Sequence, residues 1–287
     1  MRVLIVGGTG VIGSSLQKIL TKNGHEVVIT SRKSSATNDS TLSVNLENIR
    51  DSVQTIRNAE NFDAVILSAG VSSIRACRVN PESTSLVNVE AQVAIARELL
   101  SINQPKTILI SSNRVFDGAT ERTKIKSTYS PTTEYGRQKS QAETELLSLG
   151  SSVKIVRFSK VISEHTALIV DWFSKLSSNE KISAFVDMAI SPITVDDAVN
   201  VIEHVLVAEC ESVVQFSAAD EISFFDLACV VANYAKSPIS NVIRQLAEDA
   251  GDNAIPHSSL ESSVFASIKP MPSLHSVHKI MEKLTKS

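Results

Sequence analysis

Four glycines separate an apolar run from an amphipathic segment at the start of the chain, in MRVLIVGGTGVIG. They are Gly7, Gly8, Gly10 and Gly13. Glycine weakens both strands and helices, so its concentration here indicates a backbone that must turn tightly and approach another group closely. We predict a strand over residues 2–6, a glycine turn, and a helix from about Val11 to Lys22.

Apolar, β-branched runs alternate with amphipathic stretches through the first half of the chain. The runs that read as strands are Val3–Val6, Glu26–Thr30, Ala64–Ser68, Thr107–Ser111 and Lys154–Phe158. Strands that are apolar on both faces and separated by helix-length segments indicate a parallel sheet covered by helices on both sides. The predicted fold class is α/β, a doubly wound parallel sheet of the Rossmann type with a smaller carboxy-terminal lobe.

The pattern loosens after Arg157 and predicts a second region. Helices are expected near 167–177, 195–207 and 224–235, and a strand near 213–216. We predict a dinucleotide-binding domain over 1–158, with 186–217 returning to it, and a substrate-binding lobe formed by 159–185 and 218–287.

Composition excludes several functional classes. A net charge of −3 without long charged runs indicates neither a nucleic-acid nor a membrane partner. Three widely spaced cysteines and the lack of any apolar run of membrane-spanning length favour a cytoplasmic protein. His275 and His278 have no third ligand nearby in the sequence, so no metal site is predicted.

The glycine turn has the spacing of a dinucleotide-binding turn. Gly7 would permit the turn, Gly10 would leave room for a pyrophosphate, and Gly13 would let helix and strand pack closely. The stretch VVITSRKSS after the second strand lacks a carboxylate that would take a ribose 2′-hydroxyl. Ser31, Arg32 and Lys33 offer a hydroxyl and two cations instead, which predicts NADP(H) in preference to NAD(H).

Tyr135 and Lys139 are four residues apart, so they share one face of a helix. A lysine ammonium beside a phenol is expected to lower the pKa of the tyrosine and to make it a proton donor or acceptor near neutral pH. Ser112, at the end of a strand, would orient a substrate carbonyl beside Tyr135 while the nicotinamide supplies hydride.

The order GGTGVIG, ISSNRVFDG and YGRQK resembles the extended short-chain dehydrogenase/reductases, in the branch of dTDP-4-dehydrorhamnose reductase. The similarity extends through VNVEA, RFSKVIS and SPITVDDAV. It implies Ser112, Tyr135 and Lys139 as catalytic residues, with Lys139 also holding the nicotinamide ribose. The cofactor contacts that it implies are Gly7, Gly10, Val11, Ile12, Gly13, Ser31, Arg32, Lys33, Asn45, Leu46, Ala69, Gly70, Tyr135 and Lys139.

The chain departs from this family on the expected substrate side. Asn113 and Arg114 replace an acid and an aromatic residue of a typical STDYVFDG segment, and Lys160 replaces a tryptophan. Together with Val71, these residues are predicted to contact substrate, and the two cations would pair with a diphosphate or an acidic sugar.

The resemblance implies an NADPH-dependent reductase of a 4-keto nucleotide sugar, with a homodimer as one possible assembly. Two alternatives stay open at this point. One is a nucleotide-sugar epimerase or dehydratase, and the other is a non-catalytic NADP-binding regulatory subunit.

Overall fold

A computed structural model describes residues 1–32, 40–59, 61–250, 255–265 and 267–286. The chain divides into two compact units. The first unit contains residues 1–116, 128–157 and 199–214, and the second contains residues 117–127, 158–198 and 215–287.

The bounds of these units differ from the predicted domains. The segment that returns to the first unit is 199–214, within the predicted 186–217, and the strands near residues 189–194 pair with partners in the second unit. Residues 117–127 belong to the second unit, where Thr123 bridges Leu260.

Thirteen strands lie in the described part of the chain. They are β1 (Arg2–Val6), β2 (Glu26–Ser31), β3 (Thr41–Ser43), β4 (Ala64–Leu67), β5 (Lys106–Ser112), β6 (Val153–Phe158), β7 (Lys160–Ile162), β8 (Ile182–Phe185), β9 (Ala189–Ile190), β10 (Pro192–Thr194), β11 (Val213–Phe216), β12 (Ile222–Ser223) and β13 (Val242–Gln245).

Ten α-helices alternate with these strands in the same residues. They are α1 (Val11–Lys22), α2 (Ile49–Asn58), α3 (Ile74–Val79), α4 (Pro81–Ser85), α5 (Ala91–Ile102), α6 (Glu134–Leu147), α7 (Ala167–Ser177), α8 (Val195–Val207), α9 (Phe224–Tyr234) and α10 (Ser273–Lys286). A π-helical turn covers Leu86–Glu90, and a 3₁₀ turn covers Asn113–Val115. Among these helices, none combines the length and apolarity that a bilayer crossing requires.

Seven strands form one parallel sheet in the order β11-β6-β5-β4-β1-β2-β3. β1 lies between β2 and β4, with Val3 opposite both Val27 and Ala64. The central strands are buried along their length, as their uniformly apolar sequences require, and helices cover the sheet. The predicted doubly wound α/β fold is confirmed.

The second unit has its own core around α7, α9 and α10. Its strands pair only two at a time: β7 with β10, β9 with β12, and β8 with β13. Trp172 is 7% exposed and packs in this core. Val277, Ile280 and Met281 of α10 are buried there too, so the polar carboxy-terminal stretch contributes a packed amphipathic helix.

A buried ion pair links α6 to β6 inside the first unit. Arg157 donates to the Glu143 carboxylate from Nη2 at 2.7 Å and from Nε at 3.0 and 3.1 Å. Both side chains are almost fully buried. Tyr129 donates to the same carboxylate at 2.8 Å, and Ser111 donates to its other oxygen. The pair is therefore fully hydrogen-bonded, which is the condition under which buried charges are tolerated.

Replacing Glu143 with Gln removes the negative charge but keeps the shape of the side chain. Arg157 then keeps a buried charge without its counter-charge, so we expect Glu143→Gln to lower the free energy of unfolding by about 3–5 kcal/mol. Urea denaturation followed by circular dichroism measures this. The exposed pair Lys175–Asp171 provides the control, since Lys175→Ala should cost far less than Glu143→Gln. Equal losses for the two variants would contradict the assignment.

Candidate functional site

The strand order of the large sheet reverses between β1 and β4, where ligands bind in doubly wound folds. Gly7, which follows β1, has a φ of +91°, and a Cβ there would lie 2.6 Å from the backbone nitrogen of Ala69. The turns after β1 and β4 therefore touch through their backbones. Gly7 N–H also donates to Thr30 Oγ1 of β2 at 2.9 Å, which fixes the turn to the neighbouring strand.

Two further glycines of the turn have different roles: Gly10 leaves space for a ligand, and Gly13 lets the turn pack closely on α1. A Cβ on Gly10 would meet nothing nearer than 3.4 Å, whereas a Cβ on Gly13 would lie 2.3 Å from the Gly7 carbonyl oxygen. Gly10 precedes α1, and the first α1 turn contains no acidic residue. The N–H groups of Val11, Ile12 and Gly13 have no acceptor within the helix, so this end of α1 is suited to an anion such as a pyrophosphate.

A cavity of about 220 Å³ follows the carboxyl ends of β1, β2, β3 and β4. It is lined by Gly7, Thr9, Gly10, Thr30, Ser31, Arg32, Val44, Asn45, Leu46, Glu47, Ser68, Ala69, Gly70, Val71 and Val87. The structure thus brings together most of the predicted cofactor contacts. It also places Val71, which we predicted to contact substrate, in the same cavity.

The residues of this cavity fit a phosphorylated dinucleotide. The glycine turn and the amino end of α1 lie at one strand, and Ser31 and Arg32 lie at the end of the next. Lys33, the third residue predicted near the 2′-phosphate, lies outside the described residues.

Two buried amides, which the sequence reasoning missed, hold the wall of this cavity after β4. Asn88 accepts from Val71 N–H at 2.7 Å and donates to the Val71 carbonyl at 3.1 Å. Gln92 donates to the Ala69 carbonyl at 2.6 Å. Asn88 also donates to Gln138 of α6 at 2.7 Å. The segment VNVEA gave one indication of this role, because Asn88 is a polar residue among apolar ones. A polar side chain that is fully buried, as Asn88 is, needs hydrogen-bond partners.

A second group of polar residues lies where β5 ends and α6 begins. The Ser112 side chain lies within hydrogen-bonding reach of Tyr135, and this contact lowers the pKa of the Tyr135 phenol. Ser112 Oγ also accepts from Arg114 N–H and donates to Asn113 Oδ1, both at 3.2 Å. Thr133 caps α6 by accepting from Gly136 N–H at 3.1 Å, which fixes the helical turn that carries Tyr135.

Gly136 makes this arrangement possible. A Cβ at this helical position would lie 2.0 Å from the carbonyl oxygen of Arg114, so only glycine lets the 3₁₀ turn Asn113–Val115 approach α6 so closely. The glycine was visible in YGRQK, but its partner is distant in the sequence and no local pattern identifies it.

The electrostatics of Tyr135 differ from the prediction. Burial raises the pKa of Tyr135 to about 12, and the hydrogen bond from Ser112 and the positive charge of Arg114 oppose this rise. The cation that favours the phenolate is therefore Arg114 rather than Lys139. Burial lowers the pKa of Lys139 to about 8, against the nearby carboxylate of Glu143.

The remaining predicted substrate residues fall into two groups. Asn113 and Arg114 belong to the first unit and directly follow Ser112. Lys160 begins β7 in the second unit.

Comparison with known proteins identifies a family and several relatives. A profile of the RmlD substrate binding domain family matches residues 1–264. A dTDP-4-dehydrorhamnose reductase of Aggregatibacter actinomycetemcomitans is 27% identical over 243 residues, which cover 82% of this chain and 79% of that protein.

Two solved structures share the fold. The dTDP-4-dehydrorhamnose reductase of Bacillus anthracis in complex with NADP has a TM-score of 0.85 at 20% identity, covering 99% of this chain and 98% of that one. The UDP-glucose 4-epimerase of Thermotoga maritima with UDP-glucose has a TM-score of 0.83 at 16% identity, covering 100% and 99%.

The family match spans both units and agrees with the predicted resemblance, which is confirmed. The chain belongs to the RmlD substrate binding domain family of the extended short-chain dehydrogenase/reductases, and it is an NAD(P)-dependent oxidoreductase of that type.

Proposed function

We propose that this chain is an NADPH-dependent reductase that converts the ketone of a 4-keto nucleotide sugar to an alcohol. The observation that carries the proposal is the juxtaposition of the Ser112 and Tyr135 side chains, in the same unit and at the same sheet edge as a cavity suited to a phosphorylated dinucleotide.

Each residue of this group has a chemical task in the reduction. Bound NADPH would supply the hydride. Ser112 hydrogen-bonds the carbonyl oxygen and orients it, and Tyr135 gives that oxygen a proton as negative charge develops on it. Lys139, one helical turn after Tyr135, would hold the ribose of the cofactor.

The high pKa of Tyr135 suits a proton donor. A phenol with a pKa of about 12 stays protonated at neutral pH, so the proton is present when the substrate binds. The alkoxide that forms on the sugar is a stronger base than a phenolate, so the proton moves toward it. The Arg114 charge and the Ser112 hydrogen bond then stabilise the phenolate that Tyr135 becomes.

The relatives support the substrate class and the cofactor. The matched curated relative is named for a keto group on a nucleotide sugar, and one neighbour of the same name was solved with NADP. Preference for NADPH over NADH rests on Ser31 and Arg32, which line the cavity at the end of β2, where the sequence VVITSRKSS has no carboxylate. The carboxylate that lines this cavity, Glu47, follows β3.

Replacing Tyr135 with Phe removes the proton donor and keeps the ring. We expect Tyr135→Phe to lower kcat by about 10²- to 10⁴-fold, measured as NADPH oxidation with a panel of 4-keto nucleotide sugars. Tyr234→Phe is the matched control: that hydroxyl bonds His278 between α9 and α10, so its activity should be unchanged.

The same assay separates the alternative functions. NADPH oxidation that persists in Tyr135→Phe would contradict the proposed donor. Tight NADPH binding without turnover of any sugar would favour a regulatory subunit. Interconversion of sugar epimers without net cofactor oxidation would favour an epimerase.

Replacing Arg32 with Gln removes a cation from the end of β2. We expect Arg32→Gln to weaken NADPH binding about 10-fold while NADH binding stays the same, because a charge-assisted bond to the 2′-phosphate is lost. Titration of protein fluorescence with each cofactor measures both affinities. Arg50→Gln, on the exposed side of α2, is the control. An unchanged ratio of the two affinities in Arg32→Gln would contradict the phosphate contact.

A further inference from the structure

The Arg114 side chain has a buried donor without an acceptor. Its Nη1 is shielded from solvent and forms no hydrogen bond with any described residue. Buried guanidinium donors without a partner are rare because removing them from water is costly. Such a donor beside a reaction site is therefore explained best by an acceptor that arrives with a ligand.

Two carboxylates of α6 do not supply this acceptor. Glu134 is engaged by Arg137 and Gln138. Glu143 is engaged by Arg157, as described above. Across the residues that the structure describes, Arg114 forms no ion pair, so its positive charge is uncompensated.

The position of Arg114 ties this charge to the reaction site. It lies two residues after Ser112, its backbone N–H donates to Ser112 Oγ at 3.2 Å, and its carbonyl packs on Gly136. The guanidinium is near enough to Tyr135 to favour the phenolate. Arg114 does not line the dinucleotide cavity, and its closeness to Tyr135 assigns the missing acceptor to the ligand that reacts there.

We propose that the Arg114 guanidinium binds an anionic oxygen of the nucleotide-sugar substrate, next to the Ser112–Tyr135 pair. This subsite rests on the proposed function for the identity of the ligand. The resembling family has an aromatic residue at the position of Arg114, so a positively charged subsite here distinguishes this chain from that family. Arginine suits the task because its planar donors match the paired oxygens of a carboxylate or phosphate.

Two groups of a nucleotide sugar present such oxygens. The diphosphate is attached to C1, across the ring from a C4 carbonyl. A carboxylate on the sugar is attached to C5, the carbon beside the carbonyl. The second group is nearer to the reacting carbon, and the experiment distinguishes the two sources.

Calorimetry at saturating NADP⁺ tests the subsite without requiring turnover. The ligands are UDP, UDP-glucose and UDP-glucuronic acid, with the corresponding dTDP series, titrated into wild type, Arg114→Gln and Arg114→Lys. We expect Arg114→Gln to weaken anion binding about 10- to 100-fold. Arg114→Lys should retain part of it, and Arg97→Gln, an exposed position on α5, should change nothing.

The pattern of losses identifies the anion. A loss confined to the glucuronic acid conjugates assigns Arg114 to a carboxylate, and an equal loss for all three ligands assigns it to the diphosphate. Equal affinities of wild type and Arg114→Gln for every ligand would overturn the subsite, as would loss of NADP⁺ binding in that variant. Failure of the reductase assay would instead overturn the proposed function, since binding is measured independently of turnover.

Discussion

The site depends on one backbone approach that only glycine allows. Gly7 adopts a left-handed φ, and any side chain at this position would collide with Ala69. The turns after β1 and β4 can therefore lie against each other where the sheet order reverses. The amino end of α1 and the β4 turn, held by Asn88 and Gln92, then form adjacent walls of one cavity. A chain that lost this contact would keep its strands but lose the shape of the groove.

A second close approach connects this cavity to the proposed reacting groups. Gly136 admits the Arg114 carbonyl against α6, which brings Ser112 at the end of β5 to Tyr135. Asn88 joins the β4 turn to Gln138 on the same helix. Beneath them, the buried Glu143–Arg157 pair fixes α6 on β6. Cofactor groove and hydroxyl pair are thus attached to one rigid helix rather than to independent loops, as precise positioning of reacting groups requires.

The sequence predicted those parts that depend on local pattern. The bounds of α1 and α7 follow from hydrophobic periodicity, and the sheet follows from its uniformly apolar strands. The two-residue strands β9 and β12 were not predicted, because so short a segment has no period to detect. The raised pKa of Tyr135 was not predicted either, because burial depends on tertiary packing that the spacing of Tyr135 and Lys139 does not encode. The contact of Gly136 with Arg114 was missed for the same reason.

A crystal structure of the protein with bound NADP⁺ tests the central claim most directly. The account predicts a pyrophosphate against the N–H groups of residues 11–13, a 2′-phosphate within hydrogen-bond distance of Ser31 or Arg32, and the nicotinamide ring next to the Tyr135 hydroxyl. A dinucleotide bound away from the glycine turn, or with its nicotinamide directed away from Tyr135, would contradict it.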